Sequence, residues 1–117
     1  MSGRKSYYAG ISAEDQVAQM YDRSGRPVIA RRWRGPGGEI DLIARDGAEV
    51  IFIEVKQARS HGLAAERLSA RQMARIYKSA ECFIGTEPAG QLTPVRFDVA
   101  LVDGVGRIEV LENAFVA

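Results

Sequence analysis

The apolar positions of this chain fall into short groups whose spacing changes along its length. After Ser12, the residues Val17, Met20 and Tyr21 recur at helical intervals, and Asp15 stands three residues beyond the serine, as in a capping box. Gly25 follows where a helix closes in the left-handed region. The spacing predicts a helix over 13–23, preceded by a loose segment over residues 1–9. Pro27 to Trp33 is β-prone and reads as a strand.

From Glu39 the period drops to two. Glu39–Arg45 and Glu49–Gln57 are strand-like runs joined by Asp46-Gly47, the dipeptide of a type I′ hairpin. With those two residues as the loop, Arg45 pairs with Ala48, Ile43 faces Val50, Asp41 faces Phe52 and Glu39 faces Glu54. Alternation then puts Glu39, Asp41, Glu54 and Lys56 on one face, with Ile40, Leu42, Ile51, Ile53 and Val55 on the other. A second helix opens at Ser69, where Gln72 completes a capping box and Leu68 and Met73 are spaced as a hydrophobic staple. Met73, Ile76, Tyr77, Ala80, Phe83 and Ile84 form its core stripe, Arg71, Arg75 and Lys78 line another face, and Gly85 ends it. Strands over Val95–Val102 and Arg107–Leu111, separated by the Asp103-Gly104 turn, complete the order α-β-β-β-α-β-β. This is an α/β protein, a sheet with helices packed on it, and a single domain over residues 10–117.

Composition narrows the classes. The 117 residues are 46% apolar and 26% charged, with a mean hydropathy of -0.15 and a net charge of +1, as in an ordinary globular domain. The single cysteine, Cys82, excludes an internal disulfide and a cysteine-built zinc site; beside the core stripe it reads as a small buried hydrophobe. The longest strongly apolar run, Val50–Ile53, cannot span a bilayer, and no apolar run follows the basic residues at the start, so a cytoplasmic protein without membrane association is expected. The near-neutral total hides an asymmetry. Residues 1–38 carry seven basic and three acidic side chains, whereas residues 82–117 carry two basic and five acidic ones. Such a distribution permits a phosphate-facing side, unless folding mixes the segments.

The chemistry concentrates on the hairpin. In the expected register Asp41 is a diagonal neighbour of Glu54, with β-carbons at roughly 7 Å or less, and Glu39 lies opposite Glu54, where like charges repel. Lys56 offsets part of that repulsion; a divalent cation would offset more. Hard carboxylate oxygens suit Mg²⁺ or Mn²⁺, which commonly take one or two protein carboxylates and keep several waters. Such an ion activates water and neutralises charge on a phosphoryl group, and a lysine two residues along the strand can assist. The plainer reading is a solvated strand face with cross-strand ion pairs. Against it, Ile43, Val50 and Phe52 share the acids' face, and half-buried carboxylates need a reason.

The run RRWRGPGGEIDLIARDGAEVIFIEVKQAR, with Glu14 before it and RFDVALVDG after it, resembles the uncharacterised YraN-like protein family. That family in turn resembles the restriction-endonuclease-like PD-(D/E)XK nucleases, and among them the archaeal Holliday-junction resolvases. The resemblance covers about residues 8–115. It implies a mixed sheet with flanking helices, a metal site of Asp41 and Glu54, Lys56 as the catalytic lysine, and Glu14 as an additional acid at the metal. Glu39, within GEID, is implied at the edge of that site or against substrate. Two departures stand out. Ile40 replaces the proline of the motif, and Ala58 occupies the place where many relatives carry arginine, leaving the part of Arg59 in phosphate binding open.

Several residues carry two readings. Glu14 is either a ligand or an acid favoured by the dipole of a first helical turn. Gln72 either points at the site or serves the capping box, the simpler explanation. Arg31, Arg32, Arg34, Arg71 and Arg75 are candidates for holding phosphates, or members of solvated faces. Trp33 either stacks on a base or packs under the sheet, the safer expectation. His61 is expected on an exposed loop, and Asp98 in a salt bridge to a helix arginine. The function expected is metal-dependent cleavage of phosphodiesters in DNA, including branched DNA, by a chain for which a homodimer is compatible. The alternatives are a nucleic-acid-binding module without turnover and an adaptor that touches only protein.

Overall fold

The structure is a computed structural model that describes the backbone of residues 2–114 and the side chains of residues 13–114. Its elements are α1 (Ser2–Arg23), β1 (Val28–Gly35), β2 (Gly38–Asp46), β3 (Glu49–Gln57), α2 (His61–Glu66), α3 (Ala70–Ile84), a 3₁₀ turn (Gly90–Leu92), β4 (Val95–Val102) and β5 (Ile108–Leu111). The five strands form one sheet in chain order. Neighbours are antiparallel except β3 and β4, which run parallel, so the sheet is mixed and the α2–α3 segment makes the crossover that a parallel pair requires.

Two apolar layers sandwich the sheet. On one side Ala13, Val17, Ala18 and Tyr21 of α1 pack on Leu42, Ala44, Ile51, Ile53, Ala100 and Val102. On the other, Ile76, Ala80 and Ile84 of α3, with Ala64 of α2, cover Ile43, Val50, Phe52, Phe97 and Val99. Each of these large side chains contributes about 1.5–3 kcal/mol by leaving water. Trp33 belongs to the α3 layer, edge-on to Phe83 with ring centroids 5.3 Å apart, so it packs as expected. No helix among the described residues is long and apolar enough to cross a membrane.

The Gly-Pro-Gly-Gly turn between β1 and β2 lies directly on α3. Ser79, fully buried, accepts from the Gly37 N–H at 3.0 Å and donates to the Gly38 carbonyl at 2.8 Å. A β-carbon on Gly37 would collide with the carbonyl of Arg75, so glycine is what lets turn and helix touch.

The structure departs from the sequence expectations at several points. Helix α1 starts well before residue 13, so Ser12 lies inside it and is no N-cap; the loose segment expected over residues 1–9 falls on this helix backbone and on residue 1, which lies outside the described residues. Asp15 instead binds Arg31 at 2.6 Å. Gly25 does close α1 with a φ of 79°. Helix α2, capped by Ser60, stands where a loop was expected, and His61 opens it. That histidine is half-buried, with Nδ1 3.0 Å from Glu109 and Nε2 2.9 Å from the Arg107 carbonyl. Cys82 is exposed, not buried: two residues from both Ala80 and Ile84, it sits about 200° around α3 from each.

Candidate active site

The β2–β3 hairpin turns at Gly47-Ala48, one residue later than expected. Asp46 pairs with Glu49, and Gly47 takes a φ of 59° while Ala48 does not turn positive, which fits the primed turn with glycine first. The shift moves every cross-strand partner by two. Ile43 faces Phe52, and Glu39 no longer faces Glu54; it is exposed and pairs with Arg34 across β1–β2 at 3.6 Å. Because the shift is even, Asp41, Glu54 and Lys56 stay on the side assigned to them by alternation.

The regular ladder between β2 and β3 ends at Leu42 and Ile53. Beyond it, side chains take over from main chain. The Asp41 N–H donates to Glu54 Oε1 at 3.3 Å, and the Val55 N–H donates to Asp41 Oδ2 at 2.8 Å. Alternation also breaks here: Ile40 packs in the α3 layer with Ile43, while Leu42 packs in the α1 layer, although Ile40 and Leu42 were expected on one face. The two carboxylates therefore occupy the fork where the strands part, each held by the backbone of the other strand.

Helix α3 completes the frame. Ser69 caps it, accepting from the Gln72 N–H at 3.1 Å, and Leu68 and Met73 both pack on the core as a staple would place them. The side chain of Gln72 does not close the capping box. Its Nε2 donates to Glu54 Oε2 at 3.1 Å, so the side chain turns to the carboxylate pair and not to the cap. Both oxygens of Glu54 are thus fixed, one by β2 and one by α3.

Neither acid has a salt bridge among the described residues. Glu54 is 3% exposed, and burial, followed by the charge of Asp41, pushes its pKa up to about 8 against the pull of the Asp41 N–H and Lys56. Burial also raises Asp41, with Glu14 adding to the rise, while the Val55 N–H and Lys56 oppose it. Lys56, half-buried two residues along β3, acts on both carboxylates through its field and forms no ion pair of its own among the described residues. A hard divalent cation fits this donor set, two oriented carboxylates in excess of the local positive charge.

Glu14 stands apart. It lies mid-helix, which removes the first-turn dipole reading, and its carboxylate takes a two-pronged contact from Arg32, Nε and Nη2 each at 3.4 Å. Accordingly, no three acidic, histidine or cysteine side chains among the described residues cluster closely enough to share an ion. The arginines divide into two sets. Arg31, Arg32 and Arg34 on β1 each hold a carboxylate: Asp15, Glu14 and Glu39. Arg71 and Arg75 on α3, with Lys78, are exposed and form no salt bridge among the described residues; Arg59 is exposed just past β3.

Comparison with known proteins gives the family. The sequence model of the uncharacterised protein family UPF0102 matches residues 13–102, which carry the hairpin, both acids, Lys56 and Gln72. The chain belongs to UPF0102. A UPF0102 protein of Cereibacter sphaeroides is 69% identical over 117 residues, covering 100% of both chains. The UPF0102 protein of Ruegeria pomeroyi is 58% identical over 113 residues, 97% of this chain and 92% of that one. A third, from Dinoroseobacter shibae, is 42% identical over 111 residues, or 95% and 83%.

Sequence reasoning missed two features of this UPF0102 site. One is the true opposition of Asp41 and Glu54; reading Gly47-Ala48 as a glycine-first turn would have found it. The other is the engagement of Arg32 with Glu14, for which no local pattern exists.

Proposed function

We propose that the protein is a metal-dependent phosphodiesterase acting on DNA, with Asp41 and Glu54 as the ligands of one Mg²⁺ or Mn²⁺. The observation that carries this reading is a pair of carboxylates, Glu54 buried and Asp41 half-buried, oriented by Val55, Gln72 and each other, with no arginine or lysine in a salt bridge to either among the described residues. Uncompensated burial of two acids is costly, and proteins keep it where a cation belongs.

When bound, the ion supplies positive charge against the phosphoryl oxygens and lowers the pKa of a coordinated water. The remaining roles fall to the chain. Gln72 and the Asp41 N–H hold Glu54 so that its free lone pairs face the fork. The Lys56 ammonium, in no salt bridge among the described residues and acting on both acids, positions the attacking water and stabilises charge gathering on phosphorus as the P–O bond to the leaving sugar breaks. The basic stripe Arg71, Arg75 and Lys78 runs along one side of α3 for about 10 Å, away from the end that carries Gln72. That stripe, exposed and without salt bridges among the described residues, suits a phosphate backbone leading to the fork.

The test is cleavage of linear duplex, single strand, flap and four-way junction with Mg²⁺, Mn²⁺ or EDTA, with Lys56→Ala and Asp41→Asn beside the native protein. Metal-dependent cutting lost in both variants is expected. Salt-sensitive binding without cutting under any metal would replace this reading with a binding module, and absence of both would sink it.

A further inference from the structure

Arg32 was expected on a phosphate, but the structure aims it at the acids. Its φ of 50° is left-handed, which a non-glycine residue in a strand rarely adopts. Neighbours along a strand normally point to opposite faces; here Arg31 and Arg32 both turn to α1, reaching Asp15 and Glu14. Glu14 is the largest influence on the Arg32 guanidinium, with Glu39 and Asp41 also acting on it. Glu14 in turn acts on Asp41. Arg32 therefore stands, with Lys56, among the cations at the corner shared by Glu14 and Asp41.

Its grip is loose. Both contacts to Glu14 are 3.4 Å, against 2.6 Å for Arg31 to Asp15 and about 2.7–2.9 Å for a tight charged pair. The Arg32 side chain is 56% exposed and open to a ligand, whereas that of Glu14 is 20% exposed. A fork of this kind matches a phosphate as well as a carboxylate.

We propose that Arg32 is a positioning residue, a counter-ion latch that holds Glu14 off the metal site until a substrate phosphate takes the guanidinium, freeing Glu14 to join Asp41 and Glu54. The inference rests on the cation site proposed above and adds its regulation. One contact must break for either event, so phosphate and metal each make the other's binding easier. A surface pair of this strength gives a coupling of about two- to fivefold, equal in both directions.

The test reads metal binding rather than turnover. Free Mn²⁺ is followed by electron paramagnetic resonance in titrations of the full chain, with and without a cleavage-resistant phosphorothioate duplex. The native protein should bind Mn²⁺ about two- to fivefold more tightly with the duplex. Arg32→Gln should bind it more tightly than native without the duplex and gain less than native when the duplex is added. Arg34→Gln, which removes a nearby charge but leaves Glu14 held, should keep the native enhancement. Unchanged or weaker Mn²⁺ binding in Arg32→Gln overturns the latch, as does an enhancement as large in it as in the native protein or missing from the native protein. If the native protein takes up no Mn²⁺ at all, the cation site itself fails, and the latch with it.

Discussion

Among the described residues, the protein shelters carboxylates in two places and treats them in opposite ways. Asp98, on β4, is completely buried and completely answered: Arg96 grips both oxygens at 2.9 and 3.0 Å, the Tyr21 hydroxyl donates at 2.6 Å and the Asn113 N–H at 3.0 Å. This network ties α1 to β4 and to the segment after β5. It also corrects the expectation for Asp98, whose arginine comes from its own strand, two residues back, and not from a helix. Asp41 and Glu54 receive N–H donors but, among the described residues, no guanidinium or ammonium. A buried acid with a fixed cation is structure. A pair of sheltered acids with neutral donors is where the proposed cation would sit.

The contrast predicts opposite responses to neutralisation. Asp98→Ala leaves Arg96 and Tyr21 without their shared acceptor and should cost about 3–5 kcal/mol, read as a lower urea midpoint. Removal of charge at the fork should be neutral or stabilising without metal. If Asp98→Ala and Asp41→Asn shift the midpoint alike, the distinction between the two sites is wrong.

Divalent metal should sharpen it further. Mg²⁺ at about 100 times its Kd should stabilise the native protein by about 2.7 kcal/mol, because only the folded chain brings Asp41 and Glu54 together. The same gain should appear on an Arg96→Lys background, whose lesion lies elsewhere, and vanish in Asp41→Asn. Melting curves with Mg²⁺ and with EDTA decide the point.

How much of this could be read beforehand follows from the range of the interactions. Period-two alternation placed Asp41, Glu54 and Lys56 together, and it survived a register error because an even shift preserves faces. The same rule misplaced Ile40, since a strand that forks at Asp41 no longer alternates. Ser69 and Leu68 marked the start of α3 through contacts a few residues apart. Most of α1 before residue 13 and the six-residue α2 carry no comparable stripe, so neither was foreseen. Arg96 and Asp98 share a strand face at spacing two, a signal that was present and overlooked. The Glu14–Arg32 pair spans 18 residues and depends on a left-handed backbone, which tertiary packing alone decides.

The smallest effect expected is the pH dependence of stability, and its sign separates the two acid sites once more. Glu54 has its pKa raised from 4.5 to about 8 in the folded protein, by burial first and by Asp41 second. Between those values the folded state holds a proton that the unfolded state has released. Stability therefore falls as pH rises through that window and levels off above it. Glu54→Gln removes this slope: its amide oxygen still accepts the Asp41 N–H, and the Gln72 amide turns to present oxygen to the new NH₂. The variant should match the native protein near about pH 5 and exceed it near about pH 8 without metal. Saturating Mg²⁺ should flatten the native slope by displacing the proton, and it should leave the variant unmoved. A native protein that gains stability from pH 5 to 8 in EDTA would mean that the pair is already ionised and compensated within the chain, and Asp41 and Glu54 would then belong with Asp98.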